Sequence, residues 1–407
     1  MSRRMSRGTS GKNPGRPRSR WSVLLGLFPL VGCGPASDAG PPGVQTLTLD
    51  RVMTAGEPLF GIRDLQVVGA GEVLVLTGAE PFLFLYSSGG EVVDTVSLRK
   101  GRGPHDLLNP WGLLRIPGLD SLAVLDAGNR KLLLLALKDP KEGVGEPRPY
   151  PFPVVSLVRG DIREVVFGDP HQIEMVGDRL VTAVYPDGVL RQSDLSYGLL
   201  LSVDPGGRSV DTLLDFRSAF FRNADPGVLA ENLQATPLWA ACGSDRILVF
   251  DPVGMQVLEM DEVGRTRSEW DVKLQPARLS ITDVQRYLRH QATLELRGAA
   301  YDTVVLDRQI QRIAREARDR FPVLAPPAVR MLCDSRGRAW LQLYRSRGHA
   351  LGYSRQWMVL DGGFGERSRV RFPSNFTPLV LNNGWAFGIV TEESGLERIG
   401  AVRADPP

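Results

Sequence analysis

The chain has 407 residues, of which 43% are hydrophobic and 23% are charged, the proportions of a globular protein with a substantial core. Its formal net charge is +3, but residues 1–32 contain seven basic and no acidic side chains, and removing those seven from the 49 Lys and Arg leaves 42 against 46 acidic residues. The remainder is therefore nearly neutral, which excludes the strongly basic surface of a nucleic-acid-binding protein. The 44 Gly and 30 Pro favour many short strands joined by turns over a helical bundle.

The first 32 residues are organised like a secretory signal, with a basic stretch followed by the eleven-residue apolar run Trp21–Val31. That run is too short to span a hydrocarbon core of ~30 Å as a helix. It leads into the sequence LVGC, which ends at Cys33 and resembles a bacterial lipobox. The resemblance implies that Cys33 becomes the lipid-modified first residue of the mature protein, tethered to the membrane through residues 33–43. A secretory signal with a chance cysteine is the alternative.

The destination of the mature protein follows from the same resemblance. Gly34 comes after the cysteine, and no Asp stands there to imply retention in the inner membrane. The resemblance therefore implies anchoring in the outer membrane of the cell envelope, with the protein facing the periplasm.

From residue 44 onward, short apolar or alternating runs bounded by Gly and Pro predict β-strands. Most of these runs fall into groups of four. The groups cover residues 62–98, 111–158, 172–216, 237–272, 328–372 and 376–403. The second group takes its fourth strand from Pro153–Val158, after a Pro-rich excursion.

The last group contains only three runs, and a fourth strand is available at Val44–Val52, where Leu47 and Leu49 alternate with polar residues. A strand supplied by the N-terminus would close a ring of sheets and remove two exposed edges. Residues 44–407 are therefore predicted to form an all-β, six-bladed β-propeller. A large sandwich, the alternative architecture, would not explain the repeat spacing.

Residues 278–326 break the pattern with helical periodicity and predict a small helical insertion between blades four and five. Ser280–Asp283 resembles a capping box that opens a first helix. The second predicted helix, Asp302–Phe321, carries an apolar stripe that is too long to leave in water. We expect it to pack on the rim or channel mouth of the propeller through three residues of that stripe, Ile310, Ile313 and Phe321.

Two stretches in the first two groups carry sharper motifs. NPWGLL at residues 109–114, followed by LAVLDAGNRKLLLL at 122–135, resembles an NHL-type propeller repeat. GRGPHDLLNP at residues 101–110 is similar to the G-x-G-P-G-E-F linker of bacterial six-bladed propeller lipoproteins, with His105, Asp106 and Leu107 at its last three positions. The resemblance implies a propeller fold and lipid anchoring more than any activity, because that family is largely uncharacterised.

In a propeller, the links between blades and the loops between second and third strands emerge on one face, and in this sequence these segments are the long ones. We call this the long-loop face and expect the functional surface there. The candidate ligand-binding residues on it are His105, Asp106, His171, Tyr344, Arg345, Arg347, His349 and Tyr353. The Tyr and Arg side chains of this set could hold a polar or glycan ligand by stacking and bidentate hydrogen bonds, or they could form an ordinary solvated loop.

No catalytic signature is recognisable in the sequence: the four His residues lack metal-binding spacing, and there is no G-x-S-x-G or P-loop motif. The predicted function is a lipid-anchored propeller that binds a small molecule, glycan or partner protein without catalysis, metal or cofactor. The alternative is a metal-dependent enzyme of the lactonase or lyase type with its site in the central channel.

Two further cysteines, Cys242 and Cys333, end the first strands of blades four and five in LWAAC and VRMLC. An oxidising compartment permits a disulfide. Equivalent positions on neighbouring blades are expected to lie further apart than the ~7 Å between Cα atoms that a disulfide tolerates, so buried free thiols are predicted.

Overall fold

The computed structural model describes residues 43–53, 59, 61–69, 71–116, 121–126, 128–129, 131–136, 148–150, 173–184, 197–204, 209–217, 237–252, 254–276, 278, 280–285, 289, 303–316, 325, 327–344, 353–361 and 365–405. The predicted signal segment and its Cys33 lie outside these residues. Among the helices of the described part, none is long and apolar enough to cross a membrane.

The described strands form six sheets, and each sheet contains the four antiparallel strands of one blade. The sheet of blade five has a fifth strand, which pairs in parallel at its outer edge. Blade one consists of β3 (Ile62–Val68), β4 (Glu72–Thr77), β5 (Leu83–Tyr86) and β6 (Val92–Val96). Blade two consists of β7 (Pro110–Ile116), β8 (Ser121–Asp126), β9 (Lys131–Ala136) and β10 (Arg148–Tyr150). Blade three consists of β11 (Ile173–Val176), β12 (Arg179–Val184), β13 (Tyr197–Val203) and β14 (Val210–Arg217).

The second half of the ring repeats the arrangement. Blade four consists of β15 (Leu238–Ala241), β16 (Ile247–Asp251), β17 (Gln256–Met260) and β18 (Thr266–Asp271). Blade five consists of β19 (Ala328–Cys333), β20 (Ala339–Tyr344), β21 (Tyr353–Asp361) and β22 (Gly365–Arg371). Blade six consists of β23 (Phe376–Asn382), β24 (Trp385–Thr391), β25 (Glu397–Arg403) and the N-terminal strand β2 (Leu49–Met53).

The first strand of each blade is its innermost strand. These six inner strands contact one another in order around the ring, and β23 of blade six contacts β3 of blade one. The ring is therefore closed around a central channel, and the chain is a six-bladed β-propeller as the strand groups predicted.

The N-terminus closes the ring through two short strands instead of the single predicted one. β1 (Val44–Thr46) pairs in parallel with β22 at the outer edge of blade five, and β2 pairs antiparallel with β25 in blade six. Between the two strands, Leu47 is buried among residues of blades five and six. The segment thus crosses from one blade to the next and binds both.

The fourth strand of blade two is β10, so the predicted position at Pro153–Val158 is wrong. β10 pairs with β9 through Arg148 opposite Leu134 and Tyr150 opposite Leu132. Pro149 is tolerated because β10 is an outer strand, where a missing backbone N–H costs no ladder bond. Residues 153–158 lie outside the described part of the chain.

The helical insertion lies between blades four and five, as predicted. Residues 281–285 form a helix, α1, and α2 spans Thr303–Glu316. The capping box is present, since Ser280 Oγ accepts a hydrogen bond from the backbone N–H of Asp283 at 3.2 Å, and Asp283 Oδ2 accepts one from the N–H of Ser280 at 2.9 Å.

The insertion packs on the propeller through the apolar stripe of α2. Ile310 and Ala314 are buried against Val284 of α1, with Ile313 and Tyr344 packed beside them. Tyr344 ends β20, the second strand of blade five, so the contact lies on the long-loop face. Phe321, predicted to share this contact, lies outside the described residues.

The prediction of free thiols is wrong, because Cys242 and Cys333 form a disulfide with a Cα–Cα distance of 5.3 Å. Both residues stand where an inner strand ends, beside the channel. The blades of a propeller converge there, so equivalent positions of neighbouring blades approach within disulfide range. The bond therefore links blade four to blade five.

Candidate functional site

The central channel contains a cavity of about 520 Å³ lined by residues from the inner strands of all six blades. Most of the lining residues are apolar. Four are charged, and these are Arg63, Asp64, Glu174 and Arg330. A volume of this size is within the range that small-molecule sites usually have.

Three of the charged residues come from alternate blades: Asp64 from blade one, Glu174 from blade three and Arg330 from blade five. Asp64 and Arg330 occupy equivalent positions, each directly after a one-residue bulge near the start of its inner strand. β-Bulges redirect side chains and are frequent beside functional sites. The ring thus brings together charges that are far apart in the sequence.

Asp64 links the first two blades. Its Oδ1 accepts a hydrogen bond from the backbone N–H of Leu65, and its Oδ2 accepts one from the N–H of Leu113 in blade two, both at 2.8 Å. Both carboxylate oxygens therefore have backbone donors. This is the arrangement of an anionic group that fixes the channel wall.

Glu174 has a different environment. Its burial, together with the nearby negative charge of Asp64, raises the pKa of the Glu174 carboxyl to about 8. A carboxyl with this pKa is largely protonated at neutral pH and can donate a hydrogen bond. Within the described part of the chain, we find no hydrogen bond made by this carboxyl group.

Arg330 is one of the two basic residues that line the cavity. Burial lowers the pKa of its guanidinium, whereas the charge of Asp64 acts in the opposite direction. One Arg330 nitrogen, Nη1, donates a hydrogen bond to the Pro378 carbonyl oxygen at 2.7 Å and so links blade five to blade six. A guanidinium has five N–H donors, and this is the one hydrogen bond that we find for Arg330 among the described residues.

Arg63 marks the mouth of the channel on the long-loop face. It is the bulged residue near the start of β3, and its guanidinium lies 6.0 Å from the ring centre of Trp111, the bulged residue of β7. This geometry is that of a cation–π contact. It holds a second positive charge between blades one and two.

The candidates from the linker motif have structural roles or are exposed. Asp106 Oδ2 accepts a hydrogen bond from the N–H of Gly103 at 2.9 Å, which fixes the turn of the linker, and Leu107 is fully buried. His105 is exposed. The NHL-like turn is held by Asp126, whose oxygens accept hydrogen bonds from the backbone N–H groups of Leu108 and Asn109.

The candidates from the later loops are mostly beyond the described residues. His171, Arg345, Arg347 and His349 lie outside them. Tyr344 packs against the helical insertion, and the backbone of Tyr353 pairs with that of Tyr344 at the start of β21. Of the described candidates, none lines the channel cavity.

Sequence reasoning did not single out Asp64, Glu174 or Arg330. The available signal was a charged residue inside a short inner strand that is otherwise apolar in IEMV and AVRMLC and mostly apolar in IRDLQVV. Such a residue is costly to bury and therefore unusual in a strand that is packed on both faces.

The described residues contain no cluster of three or more His, Cys, Asp or Glu side chains that could hold a metal ion. Two carboxyl groups, from Asp64 and Glu174, line the cavity. Catalytic zinc sites usually take three protein ligands.

The raised pKa of Glu174 predicts a pH-dependent stability. Between its ordinary value of 4.5 and about 8, the folded protein holds this proton and the unfolded chain releases it. The free energy of unfolding should therefore fall as pH rises through this window, by at most about 1.4 kcal/mol per pH unit from this group. Glu174→Gln should remove that component, which urea unfolding across the window measures.

The matched control is Glu269→Gln, which changes an exposed glutamate on β18. It makes the same chemical change at a position that does not line the cavity. Equal slopes for the wild type and Glu174→Gln would show that the Glu174 carboxyl titrates alike in the folded and unfolded states.

No family model matches the chain, and no curated protein matches it. Among solved structures, a member of the DUF4221 family from Bacteroides vulgatus is 8% identical, with 88% of this chain and 98% of that chain covered and a TM-score of 0.49. A catalytically inactive virginiamycin B lyase from Staphylococcus aureus is 9% identical, with 87% and 98% covered and a TM-score of 0.41. The PQQ-bound aldose sugar dehydrogenase from Streptomyces coelicolor is 13% identical, with 89% and 99% covered and a TM-score of 0.41. At these identities the likeness concerns the fold alone.

Proposed function

We propose that this protein is a lipid-anchored, periplasm-facing propeller that binds a small molecule in its central channel without catalysing a reaction. The observation that carries the proposal is the placement of Asp64, Glu174 and Arg330 around a cavity of about 520 Å³. Burying charged side chains costs free energy unless their partners are complete. Asp64 has backbone partners for both of its oxygens, whereas we find no hydrogen bond for Glu174 and only one for Arg330 among the described residues. These two side chains therefore support a ligand site.

A comparison of two tryptophan variants tests channel binding. Val329 lines the cavity as the bulged residue of β19 and belongs to none of the buried core clusters of the described residues, so Val329→Trp should narrow the channel without overpacking the core. Val263→Trp is the control, because Val263 is 47% exposed in the turn between β17 and β18. Purified full-length protein is incubated with a bacterial small-molecule extract, washed and denatured, and the released compounds are identified by mass spectrometry.

The expected result is that the wild type and Val263→Trp retain the same compound or compounds and that Val329→Trp loses them. Retention of the same compounds by all three proteins, or no retention by the wild type, would contradict channel binding.

The anchoring part of the proposal rests on the lipobox-like sequence at Cys33, and the disulfide between Cys242 and Cys333 supports an oxidising compartment. Cys33→Ala should remove the membrane association of the mature protein, because the thiol is the predicted lipid attachment point. Ser37→Ala in the same tether is the control and should fractionate with the membrane. Incorporation of a labelled fatty acid into the Cys33→Ala variant would contradict the proposal.

A lyase-type or lactonase-type enzyme is the second candidate, and Glu174 is the observation that favours it. A carboxyl with a pKa of about 8 can exchange a proton at neutral pH, as general acid–base catalysis requires. Metal analysis of the purified protein separates the two functions. A stoichiometric divalent ion that is lost in Asp64→Asn would support the enzyme, and binding without turnover would support the ligand-binding function.

A further inference from the structure

We infer that the channel ligand is a small organic monocarboxylate, whose carboxylate is bound between the guanidinium of Arg330 and the carboxyl group of Glu174. The inference rests on the proposed channel function and adds the chemical class of the ligand. Both side chains line the same cavity, from blades three and five.

The first argument is the hydrogen-bonding capacity of the channel. Arg330 uses one of its N–H groups on the Pro378 carbonyl, and its remaining donors have no hydrogen-bond partner that we find among the described residues. Glu174, protonated at neutral pH, adds an O–H donor at the same cavity. Asp64 already accepts hydrogen bonds from two backbone N–H groups. The channel therefore offers hydrogen-bond donors to a ligand, and the matching ligand group is one with several hydrogen-bond acceptors.

The second argument is charge. The titratable groups that face the cavity from the described inner strands are Arg63, Asp64, Glu174 and Arg330, and Cys333 is held in the disulfide. With Glu174 neutral, two guanidinium cations stand against one carboxylate, which leaves one positive charge. A monoanion matches this charge, whereas a phosphate dianion would exceed it and a cationic amine would add to it.

The third argument is the rest of the wall. Val329, Leu332 and Leu379 line the cavity and are partly exposed, so apolar side chains are available to part of the ligand. Arg–carboxylate recognition in such a low-dielectric site is stronger than in water. These features suit an acid with a small apolar body.

The test uses three carboxylates of different size, acetate, hexanoate and benzoate, with acetamide, hexanamide and benzamide as uncharged counterparts and hexylamine as the cation. Binding to the purified full-length protein is measured by titration calorimetry at a pH near 6.5. We expect at least one acid to bind, and its amide and the amine to bind at least about tenfold more weakly, since a charge-assisted pair is lost.

Four variants assign the binding to the two side chains. Arg330→Met should weaken binding of the acid by about tenfold or more, and Arg330→Lys should restore part of it because the positive charge returns. Arg115→Met is the matched control, since Arg115 is exposed on β7 and does not line the cavity. Glu174→Gln should still bind the acid at the lower pH, because its amide is also a donor.

The pH dependence gives a readout that a purely structural role would not produce. Ionisation of Glu174 would place a carboxylate beside the bound carboxylate, so wild-type affinity for the acid should fall as pH rises through about 8. Glu174→Gln should show no such fall. A zwitterionic or cationic ligand would show the opposite trend, because an ionised Glu174 would attract its ammonium group.

The inference is overturned if no acid of the panel binds, if the amides or the amine bind as tightly, or if Arg330→Met leaves binding unchanged. Its failure is distinguishable from that of the proposed function. A retained compound that depends on the channel but carries no carboxylate would overturn the inference alone, whereas a channel that retains nothing would overturn both.

Discussion

Deleting residues 44–53 should destabilise the propeller far more than the loss of two short strands suggests. The deletion removes β1 and β2, exposes the outer strands of blades five and six, and takes Leu47 and Met53 out of the core. Met53 is 1% exposed and packs between blades six and one. Truncation of a buried Met to Ala costs about 2–5 kcal/mol by itself. The deletion should exceed that cost, because it also opens the ring.

Point variants separate core packing from the loss of a strand. Met53→Ala should lower the free energy of unfolding by about 2–5 kcal/mol. Val52→Ala, one residue earlier and 36% exposed, should have little effect. Urea unfolding followed by circular dichroism measures all three proteins. A deletion variant as stable as Val52→Ala would mean that the N-terminal strands do not close the ring.

Removing the Cys242–Cys333 disulfide should have the second large effect. The two cysteines are separated by 91 residues, a segment that contains the helical insertion. In the chain-entropy treatment, releasing a loop of this size costs roughly 4–5 kcal/mol, because the unfolded chain regains conformational freedom. The double variant Cys242→Ala/Cys333→Ala should therefore unfold at clearly lower urea concentration than the wild type.

A reducing agent provides the control for side-chain packing. The wild type in reducing agent should lose about as much stability as the double variant, and the double variant should not respond to the reagent. If the wild type unfolds at the same urea concentration with and without reducing agent, the bond contributes nothing to stability.

Much of the fold was predictable because each blade is a local unit. Short alternating runs separated by Gly and Pro place the strands. The missing fourth strand of the last group predicts closure by Val44–Val52, and the structure has β2 at Leu49–Met53. Two details were not predictable. The Pro-rich segment after β9 gives no periodicity with which to place β10, and the distance between Cys242 and Cys333 depends on how closely inner strands converge at the channel.

The candidate site was less predictable than the fold. The long loops predicted a site on the long-loop face. Tyr344, one of the candidates there, packs against the helical insertion. Asp64, Glu174 and Arg330 share no motif and span most of the propeller sequence, so their proximity exists only after the ring has closed. A charged residue in the middle of an apolar inner strand is the signal that sequence reasoning can use in other propellers.

The most direct test of a ligand-binding channel is a crystal structure of the protein purified from the cells that naturally produce it. The proposed function predicts electron density for a bound compound in the cavity, in contact with Arg330 and Glu174. A cavity filled by ordered water alone, or by a loop of the protein itself, would contradict it.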